Sequence, residues 1–494
     1  MKDGMKILFA AAEVVPFAKV GGLADVAGAL PKALEQVGLD IRVIMPLYGS
    51  ISKEKLGLQQ VAELGAIPVP IAEEEQRATF WQATLPESRV TIYFVDNERF
   101  FGRPGVYADP KTGQGYEDNA LRFAFFARAV LEFARSLDWR PEVIHGNDFH
   151  CGLLPAYLRT VYHDDPVLAG VKTVYSIHNL AYQGCFPMEL FHQLGLPERL
   201  ARPMEALEFR GEVNYMKAGL VICDVINTVS ERYAQEIQES AEFGVGLEGV
   251  LRSRSADLYG ILNGVDYSQW DPKEDRLIAA NFASDDLSGK QKNKTALLKA
   301  FDLPGSRQRL PLVGMISRLA DQKGFDLILE AAEEIMAMDL QLVILGTGQK
   351  EYHRKLKALQ KRYPKKIGLA LAFDNQLAHQ IEAGADMFLM PSRYEPCGLN
   401  QMYSLRYGTV PIVRETGGLA DTIQDVDEQP GEGNGFVFRE YRSGKMLDAL
   451  QRAVKFFADR DRWQELVERA MGADFSWARS AEKYHQLYLR ALEK

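Results

Sequence analysis

A chain of 494 residues, 47% of them hydrophobic, exceeds the length near about 250 to 300 residues at which single cores stop growing, so two large domains are expected. The formal net charge of -9 excludes a broad nucleic-acid face, which needs a basic surface, and confines any phosphate site to a local cationic pocket. No run approaches the ~18 consecutive apolar residues of a membrane span. Cys151, Cys185, Cys223 and Cys397 form no CxxC pair, so neither a zinc ribbon nor a disulfide framework is indicated, and a reduced cytoplasm is the expected setting.

The first apolar run, KILFAAAEV, is broken at Glu13 and Pro16 and reads as a buried strand rather than a secretory leader. The runs DIRVIMPLY, VTIYFVD, EVIHGND, KTVYSIHN and VICDVINTVS follow, separated by helix-like segments such as ADVAGALPKALEQVG and NALRFAFFARAVLEFARSL. A polar, irregular stretch over 271–302 interrupts this rhythm. It restarts with PLVGMISRL, LQLVILGTG, KIGLALAF, DMFLMPS and VPIVRE. The closing segment carries Trp477, Ala481, Tyr484, Leu487, Tyr488 and Ala491 at helical spacing and must pack an apolar face. The pattern predicts an α/β chain with two Rossmann-like, doubly wound parallel-sheet domains facing a cleft: residues 1–262, residues 263–473, and a terminal helix over 474–494. In such sheets ligands bind outside the carboxyl ends of the strands.

The motifs fall at those ends. Lys19-Val20-Gly21-Gly22-Leu23 follows the first strand and opens a helix, where unpaired backbone N–H groups and the helix dipole attract an anion. It matches neither GxGxxG nor GxxxxGK[ST]. His145, Asp148 and His150 end another strand, but their spacing is not specific for a metal, and no metal is expected. His178-Asn179 ends the next. In the second half, Arg318 and Lys323 flank a strand-end loop and are expected to turn inward onto a diphosphate. Each charge-assisted bond would contribute about 1.5 to 3 kcal/mol, growing as charge develops on a departing pyrophosphate. Gly346-Thr347-Gly348 offers a further loop that a nucleotide can approach. Arg393-Tyr394-Glu395-Pro396-Cys397-Gly398-Leu399-Asn400 is the most informative segment. Glu395 can accept sugar hydroxyl protons while the helix start holds a phosphate, and Cys397 reads as a small packing residue. Thr416-Gly417-Gly418-Leu419 repeats the Gly-Gly-Leu theme, so that two facing glycine loops would suit one bridging diphosphate. Taken singly, each glycine loop also fits a plain strand-to-helix turn, His178 a structural histidine, and Arg318 with Lys323 an ordinary solvated loop.

KVGGL, HN with a downstream QG, R-x4-K, EPCGL and TGGLADT, in this order and approximate spacing, resemble the bacterial and plastid glycogen and starch synthases over nearly the full length. EPCGL followed by TGGLADT is specific to that family, whereas GxG and R-x4-K recur in many glycosyltransferases of the same GT-B architecture. The resemblance implies ADP-glucose as donor, the non-reducing end of glycogen or another α-1,4-glucan as acceptor, retention of anomeric configuration, and no metal or other cofactor. It assigns Lys19, Gly21 and Gly22 to the donor loop, Arg318 and Lys323 to the diphosphate, and Glu395 to glucose hydroxyls. Cys397, Gly398, Leu399 and Asn400 wrap the sugar and distal phosphate, and His178 lies near the glucose. Asp148 matches the aspartate of a motif usually ending Asp-Trp-His, with Phe149 in place of the tryptophan, and Asn263 matches the asparagine of LNGVD at the interdomain passage. The last helix is implied to cross back to the first domain. Tyr403 stands at the second position of the Glu-x7-Glu found in many retaining relatives. His178, Arg318, Lys323 and Glu395 are the expected catalytic set; Gly346, Thr416 and Gly417 join the expected substrate contacts. The rival readings are another retaining nucleotide-sugar transferase, with UDP-glucose or a small acceptor, and a glucan-binding scaffold without chemistry.

Overall fold

Ile7, Leu8, Phe9 and Ala10 are completely buried, as a central parallel strand covered on both faces requires. In the computed structural model, which describes residues 4–71 and 74–494, this strand is the centre of the first of two compact units. That unit comprises Met1–Gly264 together with Trp477–Lys494, and the second comprises Val265–Ser476. Among the described residues no helix is long and apolar enough to cross a membrane.

The strands of the first unit are β1 (Lys6–Ala10), β2 (Asp40–Pro46), β3 (Gln59–Gln60), β4 (Ile67–Ile71), β5 (Glu74–Thr84), β6 (Thr91–Asp96), β7 (Val143–Asn147), β8 (Lys172–Ile177), β9 (Cys185–Pro187), β10 (Glu208–Phe209), β11 (Glu212–Asn214), β12 (Val225–Thr228) and β13 (Leu258–Gly260). They form one large sheet in the order β13-β12-β8-β7-β1-β2-β6-β5-β3, with β4 also on β5, and a small sheet β10-β11-β9. From β13 to β6 all neighbours are parallel; β5 joins antiparallel. The chain winds from β1 to one side, then returns to lay β7 on the other, so the topological switch lies between β1 and β7.

The helix Gly22–Gln36 buries Leu23, Val26, Leu30 and Leu34, each contributing about 1.5 to 3 kcal/mol of apolar burial. The helix Trp477–Leu492 places Trp477, Ala481, Tyr484, Leu487, Tyr488 and Ala491 in this same core. Its Tyr488 hydroxyl meets His145 Nδ1 at 2.8 Å.

The second unit is a six-stranded, wholly parallel sheet: β14 (Leu312–Ile316), β15 (Gln341–Leu345), β16 (Ile367–Ala370), β17 (Met387–Met390), β18 (Val410–Arg414) and β19 (Phe436–Phe438). The order is β16-β15-β14-β17-β18-β19, with the switch between β14 and β17. The stretch 271–302, irregular by its sequence, contains the helix Ser288–Ala300. Its apolar period is concealed because buried lysines occupy the inner face. Lys290 Nζ donates to Tyr407 O (2.7 Å) and Thr409 Oγ1 (2.8 Å), and Lys294 pairs with Asp386 at 2.6 Å.

Candidate active site

In the first unit the chain leaves β1 and reaches Glu13, whose carboxylate is only 4% exposed. Its Oε2 accepts from the amides of Val20 (2.5 Å) and Gly21 (2.8 Å), and its Oε1 from the Tyr107 hydroxyl (2.5 Å). Two of the backbone donors expected to be open to an anion are therefore already occupied by a side chain of the protein itself. A Cβ at Gly21 or Gly22 would meet nothing within 4 Å, so packing alone does not call for glycine there. Lys19 pairs with Asp25 at 2.6 Å and stays half exposed.

Asp148 follows β7 with a backbone φ of 51°. Its Oδ1 accepts from the amide of His178 at 2.8 Å. Burial pushes its pKa up to about 7, opposed by the amides of His178 and Asn179 and reinforced by the nearby Glu13. His178, at the end of β8, meets Asn147 Oδ1 at 2.9 Å through Nε2, and burial holds its pKa near 4, which leaves a neutral imidazole at pH 7. Asp148 and His178 are thus joined at the ends of β7 and β8, whereas His145 and His150 pack within the fold. His145 lies between Ser176 Oγ (2.6 Å) and Tyr488, and His150 is stacked on Tyr107 with ring centroids 4.6 Å apart. Phe149 packs on His150 at 3.8 Å. His145, Asp148 and His150 turn to different partners, and among the described residues no cluster of His, Cys, Asp and Glu has the arrangement of a metal ligand set. Asn263, near the end of the first unit, is buried with its Oδ1 unpartnered.

In the second unit the switch brings the loop after β14 against the loop after β17. Lys323 Nζ and Glu395 Oε2 lie 2.6 Å apart, and Ser392 Oγ donates to the same oxygen at 2.9 Å. The loops are laced by backbone as well: Arg393 N donates to Gln322 O (2.8 Å) and Gln322 Nε2 to Tyr394 O (3.3 Å). Arg318 is exposed at the strand end and reaches Gln322 Oε1 at 3.4 Å. Lys323 is therefore drawn to a carboxylate, while Arg318 stays at the rim of the same loop. The loop after β15 joins through Leu319 N to Thr347 O (2.9 Å), and a Cβ at Gly346 would lie 1.9 Å from Ser317 O; close backbone approach explains that glycine.

Cys397 is buried, and Gln401 Nε2 ties its carbonyl (3.1 Å) to that of Gly398 (3.0 Å). Leu399 is the N-cap of the helix Asn400–Arg406, and Asn400 Nδ2 donates to Ile316 O at 3.3 Å. Thr416, fully buried, begins the helix Gly417–Thr422. A Cβ at Gly417 would lie 2.0 Å from Glu395 O, and one at Gly418 1.9 Å from Cys397 O. These glycines seat the Glu395 segment rather than leave room for a ligand.

A family model described as starch synthase catalytic domain matches residues 6–253, and one described as glycosyl transferases group 1 matches residues 299–469. The glycogen synthase of Desulforudis audaxviator is 47% identical over 99% of this chain and 97% of its own length. That of Thermotoga maritima is 45% identical over 99% of each. The chain belongs to the glycogen and starch synthase family. It is thus a hexosyltransferase, and its fold is the GT-B type. The catalytic domain of starch synthase IV from Arabidopsis thaliana, bound to ADP and acarbose, superposes with a TM-score of 0.90 at 33% identity over the whole of both chains.

Two features of this synthase-family chain escape a reading by motif. Phe373 is 82% exposed on the loop beyond β16; the run KIGLALAF hides it as a strand residue, although the strand stops at Ala370. Tyr403, in place of a second glutamate, lies flat on Trp270 at 4.0 Å, and His379 covers the opposite face of that indole at 3.7 Å. An aromatic pile therefore anchors the helix Asn400–Arg406.

Proposed function

We propose that the chain transfers glucose from ADP-glucose to the non-reducing end of an α-1,4-glucan such as glycogen, with retention of configuration. The observation that carries this reading is the Lys323–Glu395 pair at the β14/β17 switch. A cation and a carboxylate fixed together at a strand-end crevice suit the phosphates and the hydroxyls of one sugar nucleotide. Phe373 offers an aromatic face on which a nucleobase can stack, and a purine covers such a face more fully than a pyrimidine. The relative solved with ADP and acarbose supports the same donor and acceptor classes.

Lys323 and Arg318 stabilise the departing diphosphate as its charge develops. Glu395, held by Lys323 and Ser392 through one oxygen, is committed to hydroxyl contacts rather than to attack on the anomeric carbon. Retention then follows from same-face attack within an ion pair, through an oxocarbenium-like state, with the leaving phosphate accepting the proton of the acceptor hydroxyl. Gly346, Cys397, Gly398, Leu399, Asn400, Thr416 and Gly417 shape the donor crevice by their backbone. In the first unit, the neutral His178 and Asp148 suit sugar hydroxyls, Lys19 with Gly21 and Gly22 suits an anionic group of the donor, and Asn263 offers an acceptor atom. No resident cofactor enters this scheme. We infer a cytoplasmic setting from the free cysteines, three of which are buried.

The test is transfer of radiolabelled glucose from ADP-glucose and, separately, UDP-glucose onto glycogen in metal-free buffer. Incorporation from ADP-glucose with little from UDP-glucose is expected; incorporation from UDP-glucose alone, or from neither, overturns the donor assignment.

A further inference from the structure

We propose that Glu13 is a positioning residue for the glycine loop 19–22: its carboxylate fills the loop from within and fastens it to the segment 102–118 through Tyr107. A carboxylate this deeply buried is costly unless its oxygens are satisfied. Among the described residues no cation pairs with it. Its partners are three hydrogen-bond donors, the amides of Val20 and Gly21 and the hydroxyl of Tyr107.

Tyr107 is itself held independently of the loop. Its ring stacks on His150, and its carbonyl accepts from Asn119 Nδ2 at 2.9 Å. The surrounding segment is closed by the Arg103–Asp118 pair (2.6 and 2.5 Å) and by Arg122 Nη1 on Val106 O (2.9 Å). One oxygen of Glu13 is therefore fixed by a rigid segment, and the other dictates where Val20 and Gly21 sit. The consequence is that Lys19 and the first helical amides from Gly22 onward are presented to an anion in one arrangement. That last step rests on the donor reading above, in which loop 19–22 receives ADP-glucose.

The geometry makes an ordering of variants. In Glu13→Gln the amide oxygen can still accept from both backbone N–H groups while its nitrogen donates to the Tyr107 oxygen. In Glu13→Asp the charge stays but the shorter arm cannot span loop and Tyr107 together. Glu13→Ala removes both links. Amide hydrogen exchange of a peptide covering residues 20–22, with no donor present, should quicken by about tenfold or more in Ala and Asp and stay near wild type in Gln. The KM for ADP-glucose should follow the same order, about tenfold up for Ala and Asp with kcat held within about threefold, and Tyr107→Phe should fall between. Rescue by Asp but not Gln would mean that charge rather than position matters, and unchanged exchange in Glu13→Ala would mean that Glu13 does not hold the loop; either overturns the proposal. Should Glu13→Ala fail to fold, the Gln, Asp and Phe variants decide it by the same measurements. Failure of wild type to use ADP-glucose would count against the donor reading alone, since the exchange measurement needs no donor.

Discussion

The chain writes Gly-Gly-Leu twice at a strand-to-helix turn, and the two copies are built for opposite purposes. At Gly21 and Gly22 an added Cβ would meet nothing, whereas at Gly417 and Gly418 it would lie within 2.0 Å of the carbonyls of Glu395 and Cys397. The first loop is open outward and stiffened from beneath by a carboxylate; the second is spent on the fold, letting two segments approach so closely that Glu395 is held in place. The same letters therefore carry no fixed meaning, and what stands behind a glycine decides whether it lies open or is spent on close backbone approach.

Gly418→Ala should give the largest effect. Backbone on both sides must move, so a loss of at least about 2 to 3 kcal/mol is expected, together with a fall of about a hundredfold or more in kcat/KM as the Glu395 segment shifts. Thermal unfolding and steady-state transfer would measure both, and a variant with wild-type melting and activity would break the comparison. Lys323→Ala comes next. It strips the buried Glu395 of its cation and should lower turnover by about a hundredfold or more with a smaller change in stability; equal losses of activity and stability would remove its assigned role.

Gly22→Ala should do the reverse of Gly418→Ala. At the first position of a helix with space around it, alanine should be neutral or stabilising by about 0.4 to 1 kcal/mol, yet raise the donor KM by about threefold to tenfold where the added methyl meets ligand. A melting temperature that drops sharply would show this loop to be packed like its counterpart.

The smallest effect concerns Asp148, at the end of β7. The pKa of Asp148 in the folded protein, near 7, lies above its ordinary value of 3.8. The group therefore contributes stability that is fully present below about pH 4 and is lost as pH rises through about 7. Asp148→Asn should flatten that part of the curve of stability against pH, measured by denaturant unfolding between pH 4 and 8 at fixed ionic strength. An unchanged slope would show that the carboxyl ionises normally there.

Local pattern was enough to read the repeated strand-then-helix order, because short apolar runs report burial on both faces of a parallel strand. It missed β3 to β5, of which β3 is two exposed glutamines and β4 alternates buried and exposed residues over Ile67–Ile71, and it missed the helix Ser288–Ala300, whose buried face is partly lysine. Within the candidate site, His178, Asp148, Lys323 and Glu395 were legible as polar residues at strand ends. Glu13 was visible only as the end of an apolar run, and Phe373 only as part of one.

By itself, then, the sequence determined the α/β class, the family and the set of polar strand-end loops from which the candidate site is read, since each is written in contiguous residues. The tertiary structure alone decided which side chains meet. Lys323 and Glu395 are 72 positions apart and come together because the sheet order places β17 beside β14; Tyr107 reaches Glu13 across 94 positions. Crossover connections set those distances, and a partner reached through a crossover leaves no period in the residues on either side of it.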